Sequence, residues 1–266
     1  MITESFDDKS EAKINRKYNE NAIEVDACLL TFSNLIEEYV LKNYECEKIG
    51  EIKNAADTRN IYLINYKGKR IAFYKTFVGA VMCVGSIEVS YSQIKCNKFI
   101  TFGGAGCLDK EIARGKVMIP TDAYRDEGTS YHYEKASDYI KIKNYNIVEQ
   151  FMKENEIPYI LGKTWTTDGP YRETENNFKA RKEDGCISVE MECSALQAMC
   201  NFRNIDFYTF FTSGDLLDSP KWDKRMYEGQ IEKTQHDSML LKIALELANY
   251  IIDKERSDRI WNILKN

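Results

Sequence analysis

Two short segments put carboxylates where chemistry can use them. Val189-Glu190-Met191-Glu192 sets two acids around one apolar residue inside an otherwise apolar stretch. Such carboxylates are costly to bury without partners. At alternate positions of an extended segment both point the same way. There they can accept charge-assisted hydrogen bonds from the vicinal hydroxyls of a sugar. The structural alternative is an acid favoured by the dipole at a helix N-terminus. Thr212-Ser213-Gly214-Asp215 follows the aromatic run 207–211. An Asp beside a glycine at a strand end is placed to act in a cleft, where desolvation raises a carboxyl toward proton donation. A cap or turn is the commoner use of such an Asp.

Three further segments bear on binding. Phe102-Gly103-Gly104-Ala105-Gly106 at a strand end lets backbone N–H groups approach a ligand and form an anion nest, or simply makes a tight turn. Residues 125–133 (RDEGTSYHY) are polar and aromatic, as in a binding or subunit surface. In 166–174 (TTDGPYRET), Tyr171 can stack on a planar ring and Arg172 can bond a carbonyl or an anion. For these last two the simpler reading is a turn with a solvated charge cluster.

The elements that must position these groups alternate along the chain. Residues 25–32 are a compact apolar run, read as a buried strand, and 33–44 have helical spacing. Residues 61–66 and 70–77, around Gly68-Lys69, predict a hairpin. Residues 79–93 predict a small-residue turn entering a helix. Residues 98–102, 116–120, 159–166, 187–190 and 207–211 read as strands, and 139–154 and 193–202 as helices. Residues 238–265 predict a long amphipathic C-terminal helix. Residues 1–22 are polar and predict an N-terminal extension, leaving 23–266 as the domain. With only four prolines, no internal repeat and no Pro-, Gly- or Ser-rich break, one α/β domain is expected. Ligands in such folds gather at the carboxyl ends of strands.

Composition narrows the function classes. A chain of 266 residues buries roughly three quarters of its unfolded surface. Lys+Arg 37 against Asp+Glu 42 gives a net charge of −5, with both signs interspersed. That argues against nucleic acid as a partner but leaves room for a small anion in a local pocket. The apolar runs are too short to span a bilayer, and the acidic, polar N-terminus is no signal peptide. A cytoplasmic protein without a membrane partner is expected. The eight cysteines include no C-x-x-C pair and read as reduced core thiols. His132 and His236 are the only histidines, and no zinc motif or other metal site is predicted.

The order and spacing of these segments resemble the nucleoside phosphorylase family, which contains purine nucleoside phosphorylase, uridine phosphorylase and methylthioadenosine nucleosidase. The resemblance spans roughly residues 25–255. It is carried by FGGAGCL (102–108), KVMIP (116–120), RDEGTSYHY, TTDGPYRET, VEMECSAL (189–196) and Ser213-Gly214-Asp215. VEMECSAL is its most specific element, and RDEGTSYHY looks most like the uridine phosphorylase branch. The resemblance implies a single α/β domain with a mixed, partly barrel-like central sheet flanked by helices. It implies a homodimer or hexamer with no cofactor. It also implies a pentosyltransferase of nucleotide salvage: phosphate attacks C1′ of a nucleoside and releases the base, through a transition state resembling an oxocarbenium ion. By position, Glu190, Met191 and Glu192 would bind the ribose, with Glu192 the better candidate for its 2′- and 3′-hydroxyls. Asp215 would assist the departing base, and Tyr171 and Arg172 would build the base pocket.

The phosphate site departs from the family pattern. Where the family has a Gly-Asp-Pro-x-Arg loop, this chain reads Thr31-Phe32-Ser33-Asn34. A second family arginine is replaced by Thr101, and the Thr or Ser of the glycine turn by Gly104. Phosphate binding would then fall to Gly104 with Arg172, Arg225 or a neighbouring subunit. Two alternatives stay open beside phosphorolysis: a hydrolase using water, and a non-catalytic nucleoside-binding protein.

Overall fold

The apolar run 27–31 is buried along its whole length and sits at the middle of a ten-stranded mixed sheet. This computed structural model describes residues 1–14, 19–112, 116–224 and 230–265. In chain order the elements are β1 (Ile23–Glu24), β2 (Ala27–Thr31), α1 (Asn34–Asn43), β3 (Cys46–Lys53), β4 (Thr58–Tyr66), β5 (Lys69–Lys75), α2 (Ala80–Tyr91), β6 (Ile94–Lys95), β7 (Lys98–Cys107), β8 (Val117–Asp126), β9 (Tyr139–Lys141), α3 (Tyr145–Glu154), β10 (Tyr159–Thr167), α4 (Glu175–Glu183), β11 (Cys186–Glu190), α5 (Cys193–Arg203), β12 (Asp206–Leu216) and α6 (Gln230–Lys265). Short 3-10 turns occur at Ile2–Glu4, Ser130–His132 and Pro170–Arg172.

The sheet runs β11-β10-β8-β12-β7-β2-β5-β4-β3, with β9 beside β8. β11 also returns to pair antiparallel with β7, Ser188 opposite Cys107 and Val189 opposite Gly106. Strands β7, β12, β8, β10 and β11 thereby close into a mixed barrel, and β2, β5, β4 and β3 extend from it as an open sheet.

Period-two alternation sends side chains to two separate cores. Cys28, Leu30 and Phe99 pack toward α2 and α5. Leu29, Ile100, Phe102 and Phe210 pack toward α1, α3 and α6. Among the described residues no helix is long and apolar enough to cross a membrane. All eight cysteines are free thiols, and all but Cys46 are buried.

The structure corrects several sequence readings. The predicted helix over 139–154 begins as strand β9, because Ile140 is buried and Lys141 exposed while both pair with β8. The glycine segment is no turn: β7 continues through Cys107, and Gly103, Gly104 and Gly106 keep negative φ, so they form no anion nest. Likewise β12 runs past Phe211 to Leu216, with its register shifting between Ser213 and Leu216. The hairpin turn is Lys67-Gly68 rather than Gly68-Lys69, since both residues have positive φ and Tyr66 pairs with Lys69. β3 and α4 were not anticipated. α6 begins at Gln230, ahead of the predicted 238.

Gly106 shows why this strand carries glycines. A Cβ there would lie 2.7 Å from Val189 Cγ1 and 2.9 Å from Leu217 Cδ1. Gly106→Ala therefore wedges β7 from β11 at the barrel closure. A loss of about 1–3 kcal/mol is expected, measurable as a lower denaturant midpoint.

Candidate active site

A cavity of 760 Å³ opens where β7, β11 and β12 meet the turn at 170–172 and α4. Gly104, Tyr171, Glu190, Met191, Glu192 and Asp215 all line it. The two separate carboxylate segments thus share one cavity.

Glu190 and Glu192 have diverged in role. The chain turns after β11, so the two carboxylates no longer project alike. Glu190 folds back onto the first turn of α5, accepting from Glu192 N at 2.7 Å and Cys193 N at 2.6 Å. These are orphan donors of a helix N-terminus. Thr166 Oγ1 donates to Glu190 at 2.5 Å and Thr164 Oγ1 at 3.4 Å. Glu190 therefore spends its acceptors inside the protein, the helix-terminal role weighed above. Burial pushes its carboxyl up to about 7 against the pull of these donors.

Glu192 is the N-cap residue of α5 but faces a different helix. Its Oε1 accepts from Gly79 N at 2.6 Å. Gly79 is the N-cap of α2, with φ 95, a conformation open to glycine. Burial first, and then the neighbouring Glu190 charge, push the Glu192 carboxyl up to about 8. The carboxylate lines the cavity, where its remaining lone pairs can meet a ligand.

Asp215 stands in the register shift of β12, which turns it out of the ladder and into the cavity. Trp222 Nε1–H donates to its Oδ2 at 2.6 Å, fixing that oxygen as an acceptor. Glu173 lines the same cavity, and burial together with the Asp215 charge pushes its carboxyl up to about 7. Trp222, Glu173, Phe178 and Leu217 were not singled out from sequence. Only Glu173 lay within one of the motifs.

Other expected site residues lie elsewhere. Arg172 is exposed and does not line the cavity. Its backbone N–H closes the 3-10 turn on Gly169 O, which leaves the side chain outside. Arg225 lies outside the described residues. Thr101 is buried and donates to Thr209 Oγ1 at 2.9 Å. Phe32, in the segment where the family has its phosphate loop, lines the cavity instead, and a Cβ on Gly103 would lie 3.4 Å from its ring.

The RDEGTSYHY segment is scaffold, not a solvated cluster. Arg125 is buried and donates to Ser130 Oγ, Lys135 O, Ser137 Oγ and Glu134 O. Glu127 accepts from Thr129 N, Ser130 N and Ser194 Oγ. Ser194 N in turn donates to Thr166 Oγ1 at 3.0 Å. Through Thr166 this chain reaches Glu190, so the loop braces the α5 N-terminus and contributes no described residue to the cavity lining.

Comparison with known proteins agrees with this architecture. The "Purine nucleoside phosphorylase DeoD-type" of Alkaliphilus metalliredigens is 27% identical over 224 residues, covering 81% of this chain and 89% of that protein. The "Guanosine phosphorylase" of Halorubrum lacusprofundi is 21% identical over 155 residues, covering 56% and 64%. Among solved structures, AMP nucleosidase from Bacteroides thetaiotaomicron shares the fold with a TM-score of 0.66 at 16% identity, covering 88% of this chain and 90% of that one. These relatives bear purine names and give no support to the uridine branch. The model of the phosphorylase superfamily matches residues 28–246, and the chain belongs to that superfamily.

Proposed function

We propose that this chain cleaves the N-glycosidic bond of a purine nucleoside, with inorganic phosphate attacking C1′ to give free base and (deoxy)ribose 1-phosphate. The observation that carries the reading is that Glu192 and Asp215 line one cavity. Glu192 grips the ribose hydroxyls and Asp215 attends the departing base. Met191 and Tyr171 supply contact surface beside the sugar and the base. A carboxylate near the sugar ring stabilises positive charge growing there, and a group at the leaving nitrogen stabilises the base as it departs. Both interactions strengthen in the transition state. The names of the relatives favour a purine base and phosphate as acceptor. Val78, exposed at the cavity, and Val81 beside it favour a homodimer or hexamer, and we place the enzyme in the cytoplasm.

Water as the acceptor is the second reading, and a specific feature favours it. Among the described residues the cavity lining holds Glu173, Glu175, Glu190, Glu192 and Asp215 but no lysine, arginine or histidine. Phe32 and Gly104 line it too, and neither side chain offers a donor to a dianion. A nucleoside panel incubated with and without phosphate decides between them. Ribose 1-phosphate formed only with phosphate establishes phosphorolysis, whereas free ribose and base without it establish hydrolysis. No base release in either condition contradicts both.

A further inference from the structure

Trp222 is a large aromatic residue left 65% exposed, yet a strap of chain is built to hold it. Past β12 the chain doubles back. Leu216 N donates to Asp223 O at 2.7 Å, and Asp223 N donates to Leu216 O at 3.3 Å. Leu217 N donates to Cys107 O at 2.9 Å. Asp218 accepts from Lys182 Nζ of α4 at 2.7 Å and from Lys110 N at 3.1 Å. The strap is thus tied to the end of β7, to the segment after it and to α4. From there the Trp222 indole reaches back to Asp215. The Lys224 ammonium stands 5.1 Å from the centre of the Trp222 ring.

This contact constrains both oxygens of Asp215. An indole N–H only donates, so Oδ2 is the acceptor of the 2.6 Å bond. Oδ1 lies over Gly106, where a Cβ would stand 3.3 Å from it. Gly106 and Trp222 both line the cavity, so Oδ1 is the oxygen left for a ligand. Among the described residues no other hydrogen bond engages the Asp215 side chain. The terminal torsion of an aspartate has only broad preferences of its own, and a partner must set it.

We propose that Trp222 is the positioning residue for Asp215, holding its carboxyl group by Oδ2 so that Oδ1 meets the departing base. This rests on the glycosidic-cleavage reading above. Trp222 carries out no step itself and acts only through Asp215. Its contribution is preorganisation: a group already aimed at the leaving nitrogen needs no turning as charge develops there. The Trp222 ring also forms part of the cavity wall, a separate role that belongs to the ring and not to the N–H.

Two substitutions separate these roles in steady-state kinetics with a purine nucleoside. W222F keeps an aromatic face and loses the donor. W222H loses the six-membered ring and keeps the donor, because Nε2 of imidazole sits where Nε1 sits in the five-membered ring of indole. W222F is expected to lower kcat by about 10- to 10²-fold with KM within about threefold. W222H is expected to stay within about fivefold of the wild-type kcat. W222F at the wild-type kcat, or W222H as slow as W222F, overturns the proposal. Added to D215N, W222F should cost less than about threefold more, since the group it aims no longer acts. Losses that multiply in the double variant overturn the proposal. The bond itself is read without turnover by nitrogen-15 NMR of the indole N–H groups. The Trp222 signal is one of three and is identified by its absence in W222F. It should lie downfield of a free indole and return toward the free position in D215A. A free position in the wild type overturns the proposal even in an active enzyme. A shifted signal in a protein that releases no base from any nucleoside overturns the glycosidic reading and the role at the base with it, while the Trp222–Asp215 bond stands.

Discussion

Asp215→Asn is expected to lower the rate of base release by about 10²- to 10³-fold while leaving the fold intact. The asparagine side chain retains the size and one acceptor of the aspartate, so the Trp222 Nε1–H bond to this position can persist. What the variant loses is the capacity to carry a proton and the negative charge that attends the base. The effect should fall on kcat more than on KM, because the interaction gained at the leaving nitrogen belongs to the transition state. Steady-state kinetics with a purine nucleoside, beside a thermal melt to confirm folding, measures it. A variant with wild-type kcat removes Asp215 from the mechanism.

Glu192→Gln should act in two opposite directions. On the proposed reading, glutamine replaces one oxygen of Glu192 by an amide donor, so a sugar hydroxyl that meets this side chain loses a partner, and a fall of about 10²-fold in kcat/KM is expected. Stability should move the other way. In the folded protein burial and the Glu190 charge push the Glu192 carboxyl up to about 8, against an ordinary value of 4.5. Between those values the unfolded chain releases the proton and the folded chain retains it. Stability is therefore complete below the unfolded value and is lost as pH rises through this window, with Glu190 and Glu173 contributing in the same sense. The unliganded wild type should melt lower at about pH 8 than at about pH 5, and the difference should shrink in the glutamine variant. Glutamine keeps an oxygen for Gly79 N, so the α2 N-terminus stays capped. Melts at the two pH values, with and without nucleoside, provide the measurement. An identical pH dependence in both proteins contradicts the buried, uncompensated carboxylate at this position.

Much of this site was readable from residue order. The acid past the aromatic strand and the acid pair after the apolar strand both reached the cavity, because strand ends in an α/β fold converge there. Alternation misjudged Glu190, since it describes a strand and the chain leaves strand geometry at Met191, where a helix N-terminus captures the first carboxylate. Glycine misjudged β7. The residue signals turns because it permits positive φ, yet here it serves close packing of strands, and only the pairing of β7 with β11 reveals that need. Arg125 was read as a loop charge for want of any sign that backbone carbonyls at 134 and 135 would surround it. The lack of an arginine in Thr31-Phe32-Ser33-Asn34 was visible, but the closeness of Phe32 to the glycine strand is a long-range fact of the fold. Glu173 sat inside one of the motifs, and nothing local distinguished it from a surface acid until the fold set it in the lining of the cavity that Asp215 shares.

The most direct test is a crystal structure of the Asp215→Asn protein soaked with a purine nucleoside and phosphate, where slow turnover preserves the substrate. Ribose hydroxyls within hydrogen-bonding distance of Glu192, and the base beside position 215, are expected in the same cavity. A nucleoside bound elsewhere, or bound there with its sugar turned away from Glu192, contradicts the assignment.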